Sequence, residues 1–286
     1  MELMLRKDAA DFLKFTADYR AANPLETNVM STVAASVAAG ERSYEQYWWW
    51  TVSEMYRVIG AGMRTAPHHL LLGPMPTAAA ELLGQSATLE DPKLPGVTAT
   101  PTVLEAFKSK FRSLDRYPVV VQRQLLYEVN ELATPDVPGA GRVATVDDEP
   151  LVLEWLRAFH DEATPNEPHS TDHVRGRLEA GALSLWENGT IVSMAGYAGP
   201  ADGPTGRVAR VGPVYTPASE RGHGYGAGVT AFVTKQLLDD GCAVMLYTDA
   251  SNATSNGVYQ RLGYHQVAEL VRIDYVSPTA PPTAEA

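Results

Sequence analysis

The run Arg221-Gly222-His223-Gly224-Tyr225-Gly226 follows an alternating, strand-like stretch, RVARVGPVYT (207–216), and precedes an amphipathic helical stretch, VTAFVTKQLLDDG (229–241). Three glycines at such a junction narrow what the chain can build there. The start of a helix carries unpaired backbone N–H groups at the positive end of its dipole. Glycines let that backbone approach an anion closely and adopt dihedrals closed to other residues. Together these predict a cradle for a phosphate or pyrophosphate. The run is not a P-loop, because the Gly-Lys-Ser/Thr ending is missing. It is not a Rossmann loop either, since the strand before it follows a hairpin instead of opening a βαβ unit.

The pattern around the loop predicts a mixed α/β fold. RVATV (142–146) alternates as a strand, and 150–163 places Leu151, Trp155, Leu156 and Phe159 at helical spacing. A second helix follows over about 170–180. ALSLWE and TIVSMAGYA flank Asn188-Gly189, a hairpin signal. The segment 199–206 reads as a Gly/Pro loop, CAVMLYT (242–248) as a central strand, 252–263 as a short helix and 264–276 as a terminal strand. The first half repeats nearly the same order. Helices at about 5–22 and 27–39 precede the strand-like runs YWWWTVS, YRVIGAGMR and HHLLLGP. Two further helices then alternate with GVTAT and VVVQRQLLYEV. This predicts a structural duplication: a domain over 1–132, a Pro/Gly-containing linker at 133–141, a second domain over 142–276 and a disordered tail at 277–286.

Charge and cysteine content bound the function. The chain carries 34 acidic and 23 basic residues, net −11. Residues 1–143 hold 16 acids and 14 bases, and residues 144–286 hold 18 and 9, so the acidity sits in the second half. An acidic surface repels phosphate backbones, which argues against nucleic acid as a partner. No apolar run is long enough to span a membrane. The charged start, MELMLRKDAADF, does not suit a signal peptide. Cys242 is the single cysteine and allows no internal disulfide. These features fit a reducing cytoplasm.

With Arg221, Gly224 and Gly226 matching the pyrophosphate motif Gln/Arg-x-x-Gly-x-Gly/Ala, residues 142–275 resemble the GCN5-related N-acetyltransferase (GNAT) family. Asn252, Ser255, Tyr259 and Leu262-Gly263-Tyr264 match its second motif. The first half has Leu72-Gly73-Pro74-Met75-Pro76 where the glycine motif would stand, and so resembles a degenerate copy in a tandem of two GNAT folds. The resemblance implies acetyl-CoA as co-substrate and no metal. His169 and His173, four apart, are not needed as ligands for this chemistry. It implies that the amides of Arg221, Gly222, His223, Gly224, Tyr225 and Gly226 hold the pyrophosphate, although His223 itself reads as loop surface. It implies that Val214, Tyr215 and Thr216 lie on a strand that splays from its neighbour at a bulge and contacts the pantetheine and acetyl carbonyl. Asn252, with Ser255, would border the coenzyme or cap a helix. Tyr259 would protonate the departing thiolate, since a phenol of pKa about 10 stays protonated at neutral pH.

The strand 207–216 holds no carboxylate to act as general base. The segment 160–173 holds Asp161, Glu162, Glu167 and Asp172 without one Lys or Arg. Glu162 is the first candidate for base or amine anchor and Asp172 the second. The expected reaction is N-acetylation of a primary amine on a small, cationic acceptor such as an aminoglycoside or basic peptide antibiotic, for resistance or self-protection, by a monomer or homodimer. A protein or peptide amine is the alternative acceptor. A non-catalytic acyl-CoA sensor is the alternative of another class, and an intact Tyr259 speaks against it.

Overall fold

A computed structural model describes residues 1–163, 173–203 and 206–278. The first half runs β1 (Glu2–Leu5), α1 (Ala9–Phe15), α2 (Ala17–Ala22), α3 (Asn28–Ala38), β2 (Tyr47–Glu54), β3 (Arg57–Thr65), β4 (Leu70–Leu72), α4 (Thr77–Glu90), β5 (Gly96–Ala99), α5 (Pro101–Lys110) and β6 (Tyr117–Val129). The second runs β7 (Ala140–Val143), α6 (Glu149–Ala163), α7 (Val174–Glu179), β8 (Leu183–Asn188), β9 (Thr190–Gly203), β10 (Gly206–Tyr215), α8 (Tyr225–Asp239), β11 (Cys242–Asp249), α9 (Ala253–Arg261) and β12 (Tyr264–Val276). The segment 133–141 thus runs into the start of β7. The predicted tail falls outside the described residues beyond Ser277-Pro278.

The strands form one mixed sheet in the order β1-β2-β3-β4-β5-β12-β6-β11-β10-β9-β8-β7. Each half gives its last strand to the other. β12 pairs with β5 through Val271↔Ala99 and Ile273↔Val97, while β6 pairs with β11 through Val244↔Val129 and Thr248↔Leu125. β6 and β12 also pair with each other, from Tyr264↔Val129 to Val276↔Tyr117. The cores follow the strands. Val271, Ile273 and Tyr275 pack with Trp50, Leu83 and Phe107 of the first half. Tyr127 and Val129 pack with Val229, Val233 and Leu246 of the second. A fully buried aliphatic side chain is worth about 1.5–3 kcal/mol, so this exchange is held by burial as well as by ladder hydrogen bonds.

Local signals explain most element ends. Asn188-Gly189 makes the β8–β9 hairpin, with Asn188 opposite Thr190 and Gly189 at φ 76. Three readings differ. Glu2–Leu5 is an edge strand on β2 instead of the start of a helix, and the helix begins only after Asp8, whose side chain accepts from the Asp11 N–H. That helix breaks at Thr16, whose hydroxyl donates to the Phe12 carbonyl. The predicted loop 199–206 is mostly hairpin, because β9 and β10 stay paired to Gly203↔Gly206.

Candidate active site

β10 and β11 run parallel from Arg207↔Cys242 to Val211↔Leu246, and β10 has no β11 partner beyond that point. The cause is local. At Gly212-Pro213 the register against β9 shifts, resuming at Val214↔Ala195 and Tyr215↔Met194. Gly212 sits at φ 141, open to glycine, and Pro213 has no N–H to offer a neighbour. β11 meanwhile follows β6 on the other side as far as Asp249↔Gln124. The strands therefore part into a slot between Val214-Tyr215-Thr216 and Tyr247-Thr248-Asp249. The Ser193 hydroxyl donates to the Tyr215 carbonyl at 3.0 Å and lies 2.8 Å from Thr216 Oγ1, fixing the far wall.

Above the slot the chain turns into α8. Gly222 and Gly224 are left-handed, at φ 85 and 83, and Gly224 is the N-cap with no side chain to satisfy the first turn. The leading N–H groups of α8 are thus left for a ligand. A Cβ on Gly224 would stand 3.1 Å from Val137 Cγ2, and one on Gly226 would stand 3.3 Å from Thr216 Oγ1. Residues 221–224 are exposed. The His223 ring stacks on Tyr225 and is held at Nδ1, 3.3 Å from the Glu220 carbonyl. The buried Tyr225 hydroxyl accepts from Asn188 Nδ2 at 2.8 Å.

The remaining sequence candidates fall into three groups. Glu162 lies at the slot, but its Oε2 is engaged by Arg221 Nη2 at 2.6 Å, while Arg221 Nε donates to the Thr216 carbonyl at 2.9 Å. The pair ties α6 to the glycine loop; half-exposed pairs of this kind contribute about 1 kcal/mol or less. Burial and the adjacent Glu162 raise the Tyr215 phenol. Asp172, with Glu167 and His169, lies outside the described residues. Asn252 and Ser255 meet as a helix cap, Asn252 Oδ1 accepting from the Ser255 N–H at 3.0 Å. Tyr259 is half-buried on α9 and packs, with Val214, against the cluster under α8. Its ring lies 6.0 Å from that of Tyr264, and its hydroxyl has no hydrogen-bond partner among the described residues. Burial pushes its pKa up to about 12.

Residues 150–264 match the model of the Acetyltransferase (GNAT) family. The match places a GNAT-type domain over these residues. Among curated proteins none matches the sequence. Solved structures resemble it along nearly its whole length. A GNAT-family acetyltransferase from Colwellia psychrerythraea is 14% identical at TM-score 0.60, covering 96% of this chain and 100% of that one. A GCN5-related N-acetyltransferase from Sphaerobacter thermophilus is 15% identical at TM-score 0.61, with 96% of each chain covered. A tandem GNAT protein from the clavulanic acid biosynthesis pathway is 14% identical at TM-score 0.55, covering 98% of this chain and 99% of that one. At these identities the likeness is one of fold, and the fold is a tandem of two GNAT units.

The first GNAT unit lacks the glycine turn of the second. β4 and β5 are parallel at Leu70↔Val97 and Leu71↔Thr98, and the chain then enters α4 through Gly73-Pro74-Met75-Pro76. Two prolines remove two N–H groups from the turn. The Tyr19 hydroxyl fills the remaining space: it donates to the Pro74 carbonyl at 2.8 Å and would lie 2.2 Å from a Cβ on Gly73. Burial holds the Tyr19 phenol well above its usual pKa, hence neutral. Calorimetry with coenzyme A should therefore return one site per chain; two sites would show that the first unit still binds.

Two residues near the slot were not singled out by the sequence. Arg210 alternates with apolar neighbours in β10 and reads as surface, yet its Nη1 donates to Asn28 Oδ1 of α3 at 2.8 Å. Arg177 reads as helix surface, yet its Nη2 donates to the Tyr197 carbonyl at 3.2 Å and reaches the Gly212 carbonyl at 3.5 Å. Inward alternation at Arg210 was the available signal. Among the described residues no group of three or more His, Cys, Asp or Glu could hold a metal, and no helix is long and apolar enough to cross a membrane.

Proposed function

We propose that the GNAT domain transfers an acetyl group from acetyl-CoA to a primary amine of a small acceptor. The observation that carries this reading is the β10–β11 slot running into an α8 whose N-terminus is capped only by left-handed Gly224. A glycine N-cap and an open first turn suit a pyrophosphate, and an unpaired strand edge suits a linear amide-bearing arm. The co-substrate supplies an acyl group activated as a thioester.

The chain's own residues would do the rest. Residues 222–226 would anchor the diphosphate, and the Val214–Thr216 edge would orient the arm. As the N–C bond forms and the C–S bond breaks, the amine loses a proton and the sulfur needs one. Tyr259, protonated and without a hydrogen-bond partner among the described residues, would give it and regain its own from water. A free amine of pKa near that of lysine, about 10.4, must also be deprotonated. Glu162 is engaged by Arg221, so the reading gives it the role of tethering the glycine loop, and leaves Asp172 as the sequence candidate for the base.

The finer expectation, a polycationic antibiotic as acceptor, rested on the carboxylates of 160–173. With Glu162 paired, that support is reduced, and arginines at the slot's apex favour another acceptor chemistry, taken up below. The test is thiol release from acetyl-CoA across a panel of amines. Amine-dependent release is expected. Coenzyme binding without release for any small amine or lysine peptide would replace the enzyme by a sensor.

A further inference from the structure

At the closed end of the slot, on the sheet face away from α8, three arginines converge without a counter-charge among the described residues. Arg210 of β10 and Tyr247 of β11 project from adjacent strands at the level where the strands part. Arg177 of α7 reaches the Gly212 carbonyl at the same level. Arg42, after α3, lies close enough to act on both. Burial, Arg42 and Arg210 together push the Arg177 guanidinium down to about 10, and burial with Arg42 lowers Arg210 as well. None of the three has a carboxylate within ion-pair distance among the described residues. Arg210 spends one donor on Asn28 and Arg177 its contacts on two carbonyls. The Tyr247 hydroxyl is buried with no hydrogen-bond partner among the described residues. Glu26 of the first unit acts on Tyr247 and Tyr19 at the edge of the cluster, and it makes no ion pair with the arginines among the described residues.

Like charges held together in a poorly solvated place destabilise a fold unless an opposite charge joins them. A buried hydroxyl with no partner adds to that cost. Groups of this kind persist where a ligand completes them. Guanidinium forks match the planar, two-oxygen face of an oxyanion.

We propose that Arg42, Arg177, Arg210 and the Tyr247 hydroxyl bind an anionic group, a carboxylate or phosphate, on the acyl acceptor. The inference rests on the acetyltransferase reading, since the slot's apex is where an acceptor would meet the acetyl group. It reverses the sign of the acceptor charge expected from composition: among the described residues, the charge at the apex is positive. The acceptor is then an amine that also carries an oxyanion, of amino-acid or amino-sugar-phosphate type.

Two measurements test it. In the first, thiol release is compared for amino acids, amino-sugar phosphates and their neutral counterparts (amino-acid amides and unphosphorylated amino sugars) at constant ionic strength. The anion-bearing member of a pair should be preferred at least tenfold in kcat/KM, and the carboxylate and phosphate arms identify which oxyanion it is. Arg177→Gln should raise that acceptor's KM at least tenfold, erase the preference and leave the KM for acetyl-CoA unchanged. Preference for neutral or polycationic amines, a preference that survives Arg177→Gln, or a change confined to acetyl-CoA would overturn the proposal. The second needs no catalysis. Inorganic phosphate should raise the melting temperature of the wild-type chain by about 2–4 °C near saturation, a shift lost in Arg177→Gln. Arg42→Gln, which breaks no side-chain hydrogen bond among the described residues, should melt higher than wild type without phosphate and respond to it less. Equal melting responses in all three chains would overturn the anion site. Absence of thiol release with every amine would instead remove the acetyltransferase reading, and the melting data would still decide the site.

Discussion

Tyr259→Phe should lower kcat by about 10²- to 10⁴-fold, the usual contribution of a positioned acid, and leave the KM for acetyl-CoA within a few-fold. The substitution is clean for a physical reason. The hydroxyl has no partner among the described residues, so its removal orphans nothing, while the ring keeps its contacts with Tyr264 and the cluster under α8. The melting temperature should therefore stay put. The pH profile gives a second check. Burial raises the phenol to about 12. An acid with a raised pKa is fully protonated below it, so Tyr259 contributes no alkaline limb in the neutral range. Any such limb belongs to another group and should persist in the variant at its reduced rate. Wild-type kcat in Tyr259→Phe would assign the residue to packing or show that chemistry is not rate-limiting.

Gly224→Val should weaken coenzyme A binding at least tenfold, which is about 1.4 kcal/mol or more. Two causes add. Gly224 sits at φ 83, a conformation a β-branched residue adopts only under strain. Its new Cβ would stand 3.1 Å from Val137 Cγ2, so the branch must displace the wall or turn into the space before α8. Gly226→Ala separates loop strain from blocked space. Gly226 is already helical, and its Cβ meets only a Thr216 hydroxyl at 3.3 Å, which can rotate or shift. That chain should melt like wild type, and a fall in its coenzyme affinity would report crowding alone. Calorimetry reads the affinities, and circular dichroism confirms the fold. Unchanged affinity in a folded Gly224→Val chain would remove the cradle from these residues.

What the sequence disclosed was local. The Asn188-Gly189 hairpin, the strand–glycine–helix junction at 216–226 and the Asn252 cap each lie within a few residues, so dihedral preference and capping chemistry reveal them. The bulge at Gly212-Pro213 was foreseen only through the family resemblance, though Gly-Pro inside a strand marks such a break. Long-range partners were hidden. Glu162 was picked out near the site for its charge, but its partner Arg221 lies 59 residues away and no spacing rule links them. Arg210 was not singled out, because alternation says which residues share a face and not what covers that face. Here α3 of the first unit covers it, with Asn28 against Arg210. Net charge is a sum over a whole surface and does not say which side chains face the slot.

The reciprocal placing of β6 and β12 has a consequence for how the molecule is made. On the ribosome, the first unit leaves the tunnel with the place beside β5 vacant. The residues that fill it, Val271, Ile273 and Tyr275, are synthesised only after the other elements of the second unit. The rule that an amino-terminal domain finishes folding before the next begins cannot hold for this chain. Until β12 emerges, β5 keeps an open edge of the kind that invites pairing with other chains. Nor can the gene be cut between the units to give two working proteins: a fragment ending near residue 135 keeps β6 and loses β12, and the complementary fragment does the reverse. The two units are obligate parts of each other, so the second cannot be truncated or transplanted without carrying the first along.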